Sequence, residues 1–202
     1  MESLEKTVKL PPPRLKSSTS IEAVLQKRRS VRDYTNVQLS LSEISQLLWS
    51  AQGITNQEGY RTAPSAGALF PLEIYLLVNN VENLQTGVYK FNPINHELKL
   101  WFEGNIKTEL CNSALGQDSI TQSAASIIIT AVFERVTSKY GKRGITYVHM
   151  EAGHAAQNVH LQAEALNIGT VIIGAFDDEK VKKILCLPQD EQPLCIMPVG
   201  KK

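Results

Sequence analysis

The chain has 202 residues, 21 basic against 20 acidic side chains, a formal charge of +1, and 43% hydrophobic residues. That composition suits one domain with a substantial core and excludes a disordered or fibrous chain. The near-neutral balance leaves no global field to hold nucleic acid or an anionic membrane, so a local basic cluster needs a local explanation. Cys111, Cys186 and Cys195 are odd in number and lack ligand spacing, which fits thiols in a reducing compartment better than disulfides or a zinc site. The first ten residues carry no hydrophobic signal region, and the longest apolar run, near residues 127–133, is too short to span a bilayer. A cytoplasmic protein is the expectation.

In chain order, Pro11-Pro12-Pro13 is stiff and extended, so residues 1–18 are expected to form an N-terminal arm outside the central core. Thr19 with Glu22 resembles a capping box for a short helix through Lys27. Ser40 with Glu43 repeats the device before Ile44, Leu47, Leu48 and Ala51. Residues 72–78 read as a buried strand, and 88–91 with 97–102 as an antiparallel pair across a polar turn. A helix is predicted over about 105–115 and a central strand over the β-branched run 126–133. The longest helical signal covers 146–166, where Val148, Ala152, Ala155, Val159, Ala163 and Leu166 recur at intervals of three and four. Residues 170–173 read as a strand, Asp177 as the cap of a short helix, and 193–199 as a last apolar strand. With no repeated βαβ unit and no Gly-x-Gly-x-x-Gly fingerprint, the pattern predicts an α+β layer fold, not a doubly wound one.

Four stretches carry chemistry. Arg28, Arg29 and Arg32 offer multi-donor forks and Ser30 a hydroxyl, a set suited to phosphate oxygens; a solvated helix end complementing its dipole is the competing reading. Pro64, Ser65, Ala66, Gly67 and Ala68 precede the 72–78 strand with small residues that let backbone approach a flat or anionic ligand, or simply make a packed turn. Gly169 with Thr170 either brings main chain up to a cofactor ring or ends a helix in the left-handed region. Residues 135–143, with Lys139 and Tyr140, read first as a solvated loop, although a lysine and a tyrosine there can stabilise charge and relay a proton. His149, Glu151, His154 and His160 do not make a His-Glu-x-x-His arrangement, so buried hydrogen bonding or a polar wall stands ahead of metal binding. His96, in the hairpin turn, is expected to be exposed.

Taken together, Arg28 to Tyr34, Pro64 to Glu73, Glu151 to Asn158 and the ordered ending from Ile173 to Gly200 resemble the nitroreductase-like flavoprotein family, in particular its SagB-type dehydrogenase branch. The resemblance implies an α+β fold with a mostly antiparallel central sheet surrounded by helices. It also implies an intertwined homodimer over residues 19–202, with noncovalent FMN at the subunit interface. Arg28, Arg29, Ser30, Arg32 and Lys201 would then meet the phosphate. Residues 64–68 of the partner would approach the flavin, and Gly169 and Thr170 its redox-active edge. NADH or NADPH would be the reductant and a small organic acceptor the oxidant, in a ping-pong cycle. Ala68 and Phe70 depart from common nitroreductases, which often carry asparagine and glutamine there, and match the SagB-type pattern. Lys139 and Tyr140 look like the pair that azoline-oxidising members place near their peptide substrate. Azoline dehydrogenation and nonredox flavin binding therefore stand as alternatives.

Overall fold

The computed structural model describes residues 6–202. Seven antiparallel strands form one sheet in the order β1-β4-β3-β2-β5-β7-β6. They are β1 (Thr7–Lys9), β2 (Leu72–Val78), β3 (Gly87–Asn92), β4 (Glu97–Glu103), β5 (Ala125–Val132), β6 (Ile168–Thr170) and β7 (Glu191–Lys201). Helices α1 (Ile21–Lys27), α2 (Leu41–Gln52), α3 (Lys107–Ser113), α4 (Ser119–Gln122), α5 (Glu134–Tyr140), α6 (Arg143–Ala165) and α7 (Asp178–Ile184) surround it. The α+β expectation holds.

Strand period explains the two cores. Ile74, Leu76 and Val78 of β2 and Ile127 and Ile129 of β5 point to one face, against α2 and α6. Tyr75, Leu77 and Ile128 point to the other, against Leu110, Ile120, Val181 and Leu185. Both faces are covered, so β5 is buried at every position, as its uninterrupted apolar run requires.

Ser40 and Glu43 form the expected capping box on α2, and Asp177 caps α7 by accepting the Lys180 N–H. On α1 the cap is Ser20, not Thr19: its side chain accepts from Ala23 N–H. The 135–143 run is a helix where a loop was expected; Val136, 1% exposed, anchors α5 and Gly141 at φ 55° ends it. Asn167, at φ 56°, takes the left-handed position that ends α6. Gly169 therefore lies inside β6, and the strand expected at 170–173 begins at Ile168 and touches β7 again only through an Ile173 to Ile196 bridge.

The start of the chain is more involved than a surface arm. β1 pairs with β4 and Leu10 is buried in the main core. His96 is half-buried, not exposed: its Nε2 lies 2.8 Å from Ser45 Oγ and 2.9 Å from the Pro11 carbonyl, which tethers the proline segment. Burial holds the His96 pKa below 6.5. Among the described residues, no helix is long and apolar enough to cross a membrane.

Candidate functional site

Arg28 caps α1 outside helical space, at φ −50° and ψ 124°, and the chain after it is clamped to the β6–β7 end of the sheet. Val31 N–H donates to the Thr170 carbonyl at 2.9 Å and Thr35 N–H to the Lys201 carbonyl at 2.9 Å. The Tyr34 hydroxyl donates to the Val31 and Pro198 carbonyls at 2.8 and 3.2 Å. Two glycines make the approach feasible. A Cβ on Gly169 would sit 2.7 Å from Val31 Cγ1, and one on Gly200 would sit 2.7 Å from the Tyr34 ring. The space beside Gly169 thus belongs to Val31, which accounts for its lack of a side chain without a cofactor ring. The Thr170 carbonyl is likewise spent on Val31.

This clamp presents Arg29, Ser30 and Arg32 at the surface with Arg28 half-buried behind them. Among the described residues, no carboxylate pairs with any of the three guanidiniums. Arg29 spends Nη1 on the Gln26 and Arg28 carbonyls at 3.1 and 2.8 Å. Close by, His160 is 6% exposed, and burial, then the Arg28 charge, pushes its pKa below 6.5. His160 Nδ1 and Thr170 Oγ1 are buried without a partner. Lys201 differs from the other cations: its ammonium is paired with Glu43 and can meet a ligand only by leaving that carboxylate.

The second cluster forms around residues 64–70. Ala66–Ala68 is a single 3-10 turn, and Gly67, Ala68 and Phe70 all have positive φ, at 62°, 53° and 45°. Two of these are not glycine, so the turn carries backbone strain that its surroundings hold in place. Ser65 Oγ accepts the Phe70 N–H at 2.9 Å, Arg135 Nη1 donates to the Phe70 carbonyl at 3.0 Å, and the Arg61 guanidinium lies 4.3 Å over the Phe70 ring. Gly67 faces the pair singled out in the sequence: a Cβ there would lie 2.8 Å from Tyr140 Oη and 3.2 Å from Lys139 Nζ. Left-handed Ala costs about 1–2 kcal/mol, and Gly returns up to about 1 kcal/mol of that in chain entropy. Ala68→Gly is accordingly expected to stabilise the fold by about 0.5 kcal/mol. A lower midpoint in chemical denaturation would contradict the strain.

Under this turn lies a buried polar group. Glu151 of α6 is 2% exposed and Gln52 of α2 is 1% exposed, and Arg61 Nη1 donates to Gln52 Oε1 at 2.8 Å. Glu151 Oε1, Gln52 Nε2 and Arg61 Nε have no partners. Burial drives the Glu151 carboxyl up to about 7, against the opposing pull of the Ser65 hydroxyl, Arg61 and Gln52. Arg61 went unnoticed in the sequence; its only signal there is its position three residues before Pro64, where the small-residue stretch begins.

The two clusters meet different flanks of α6. Glu151 and His160 are nine residues apart, so they project about 180° from each other around the helix, roughly 14 Å apart along it. A cavity of about 890 Å³ lies elsewhere again, on the β3–β4 hairpin beside Arg61, Glu73, Lys90 and Trp101. Among the described residues, His149, Glu151, His154 and His160 form no group able to hold a metal ion.

The family model described as the nitroreductase family matches residues 25–201. The chain belongs to the nitroreductase family. A Methanocaldococcus jannaschii protein named as a nitroreductase is 47% identical over 182 residues, covering 90% of this chain and 91% of that one. The microcin B17-processing protein McbC of Escherichia coli is 31% identical over 158 residues, 75% of this chain and 58% of McbC. This family member thus spans little more than half the length of that relative. A nitroreductase structure from Ralstonia eutropha superposes with a TM-score of 0.86 at 25% identity, covering 98% of this chain and 90% of that chain. The E. coli McbBCD microcin synthetase complex with truncated pro-MccB17 superposes with a TM-score of 0.75 at 27% identity, over 93% of this chain and 76% of that chain.

The donor set of this nitroreductase-family chain fits the phosphate of an FMN cofactor. Guanidiniums without carboxylate partners among the described residues and a surface hydroxyl are what a phosphorylated ligand would satisfy. The fit extends to Arg28, Arg29, Ser30 and Arg32, and to Lys201 only in exchange for Glu43.

Proposed function

We propose that the chain is an FMN-dependent oxidoreductase that passes electrons from NADH or NADPH to a small organic acceptor in a ping-pong cycle, acting as a homodimer with FMN between subunits. The observation that carries this reading is the arginine segment clamped onto β6 and β7 with no carboxylate opposite its guanidiniums among the described residues. Membership in an oxidoreductase family supplies the rest. When bound, FMN supplies the hydride and electron chemistry, and the protein supplies binding, orientation and electrostatics.

The chain's own residues divide that work. Arg28, Arg32 and Ser30 hold the phosphate, with Arg29 contributing whatever its backbone-bound guanidinium leaves free. Residues 64–68 form a rigid strained wall suited to a flat ring. Because the phosphate cluster and the turn occupy opposite flanks of α6, one chain meets a ligand with each cluster separately. Two chains are needed to close a site. Exposed Ile21 and Leu25 on α1 and Ile145 and Met150 on α6 offer apolar surface for the second copy. Anaerobic addition of NADH or NADPH to the FMN-loaded protein tests the redox reading. Rapid bleaching of flavin absorbance is expected, and bound flavin that neither nucleotide reduces would reject nicotinamide as the reductant and leave the azoline and nonredox flavin-binding readings.

A second reading, oxidation of thiazoline or oxazoline rings in a peptide to azoles, is favoured by one observation: Lys139 and Tyr140 stand against Gly67 in the wall. Likeness to McbC and to the trifolitoxin operon protein TfxC of Rhizobium leguminosarum, 25% identical over 192 residues, supports it. Aromatising an azoline removes a proton and a hydride; bound FMN would supply the hydride acceptor, with oxygen as the oxidant that returns it to the oxidised state. Tyr140 is placed to take part in the proton transfer, and the Lys139 ammonium to stabilise negative charge on the substrate. On this reading Lys139→Ala and Tyr140→Phe slow azoline oxidation tenfold or more with unchanged FMN content. Unchanged rates would remove the pair from the mechanism.

A further inference from the structure

The cavity of about 890 Å³ on the β3–β4 hairpin belongs to neither cluster described above, and a departure from regular strand pairing builds part of its wall. Tyr89 of β3 faces Leu100 of β4 and Val88 faces Phe102, which leaves Trp101 as an extra residue with no partner opposite it. A bulge of this kind re-aims side chains. In a regular strand Trp101 and Phe102 would point to opposite faces, whereas here both pack against the core around Tyr75, Val88 and Ile128. The indole is pinned. Trp101 Nε1 donates to the Leu185 carbonyl at 2.8 Å, and its ring meets Tyr75 edge-to-face at 5.5 Å. Two adjacent aromatic side chains thus line one cavity.

The charges around the cavity sort into a balanced set and a surplus. Lys90 and Arg135 compensate Glu73 and Glu191 through ion pairs no longer than 3.6 Å. Lys6 and Arg61 pair with no carboxylate among the described residues, and Glu103, exposed at the end of β4, is the acid on the wall outside the balanced set. The Lys6 ammonium bonds the neutral Gln85 side chain, and Arg61 spends Nη1 on Gln52 Oε1. Glu151 and Glu73 act on Arg61 only from beyond ion-pair distance. Its guanidinium is nonetheless held in place, by Gln52 and by the Phe70 ring 4.3 Å away.

We infer that this cavity binds a planar aromatic carboxylate, with the ring against Trp101 and Phe102 and the carboxylate on the Arg61 guanidinium. The volume is that of a small-molecule site, since such pockets span about 300–1,000 Å³ and combine apolar and aromatic walls with a few placed polar groups. A guanidinium fork matches a carboxylate, and a ligand ring gains from offset or edge contact with the two aromatic side chains. Lys90, 5.7 Å from the Trp101 ring, adds a second positive charge beside the indole. A cationic ligand meets Arg61, Lys6 and Lys90 as like charges, and a neutral one forgoes the charge-assisted hydrogen bonds.

The test titrates 2-naphthoate, and separately its neutral isostere 2-naphthamide, into the full-length protein as purified. The readout is the pair of indole N–H resonances of Trp49 and Trp101, assigned with Trp49→Phe. Naphthoate is expected to shift the Trp101 resonance saturably, with an affinity at least tenfold above that of naphthamide. Trp49, which borders other cavities, is expected to stay unmoved. Arg61→Met is expected to abolish the tenfold preference. Ile94, 76% exposed on the rim, supplies a variant that leaves the core untouched. Ile94→Glu sets a like charge at the mouth and is expected to weaken naphthoate threefold or more while naphthamide binds as before. No shift at Trp101, a shift at Trp49 in its place, or equal affinities for the two probes in the wild type would overturn the inference. So would an unaltered preference in either variant that keeps its fold. The readout involves no flavin reduction, so its outcome stands apart from the FMN reading.

Discussion

Replacing Arg28 and Arg32 together by alanine is expected to raise the FMN dissociation constant at least a hundredfold. Each charged hydrogen-bonding contact is worth about 1.5–3 kcal/mol, and about 1.4 kcal/mol is a factor of ten. The loss should appear in the ligand and not in the fold. Arg32 is exposed, Arg28 is half-buried, and neither pairs with a carboxylate among the described residues, so truncation leaves no counterion behind. Clamping is done by Val31, Tyr34 and Thr35, which the variants keep. Fluorescence titration of the apoprotein with FMN measures the effect, and thermal unfolding checks that the scaffold is intact. Unchanged affinity would reject the phosphate role and return the cluster to a solvated helix end.

The other large effect concerns the sheet. Glu191 opens β7 almost wholly buried, 1% exposed, and is held by the Thr130 hydroxyl, the Tyr75 hydroxyl at 3.3 Å and the Lys90 ammonium at 3.6 Å. Lys90 also pairs with Glu73 at 3.2 Å and lies 5.1 Å over the Tyr75 ring. Lys90→Met is expected to cost about 3 kcal/mol, because it strands a buried carboxylate, whereas Glu73 keeps Arg135. In the double variant Lys90→Met with Glu191→Gln most of that loss should return, since no charge is left unpaired. Chemical denaturation of the single and double variants decides the point. A double variant as unstable as Lys90→Met would mean that packing, not charge, is responsible. Tyr75 joins this network with its pKa pushed upward, first by burial and then by the neighbouring Glu191, so it remains a neutral donor.

Much of the fold was legible because its signals are local. The β2 strand, the Ser40 and Glu43 capping box and the apolar stripe of α6 each follow from residues close in sequence. α5 was not legible: Val136 is its only fully buried side chain, and four-residue spacing with Tyr140 is too short a stripe to register as helical. His96 and Leu10 were misread because their partners, Ser45, Pro11 and the main core, are distant in sequence. The same distinction runs through the candidate site. Which residues are candidates for chemistry was readable from type and clustering, as with Arg28, Arg32 and Ser65. What each one touches was not: Gly169 makes room for Val31, Lys201 is held by Glu43, and Gly67 lies against Lys139 and Tyr140.

The central claim, that these clusters build an FMN site, is tested most directly by the flavin content of the purified protein. The account predicts yellow protein that releases FMN on denaturation and rebinds one FMN per chain on reconstitution. Colourless protein that fails to bind FMN after reconstitution would contradict it.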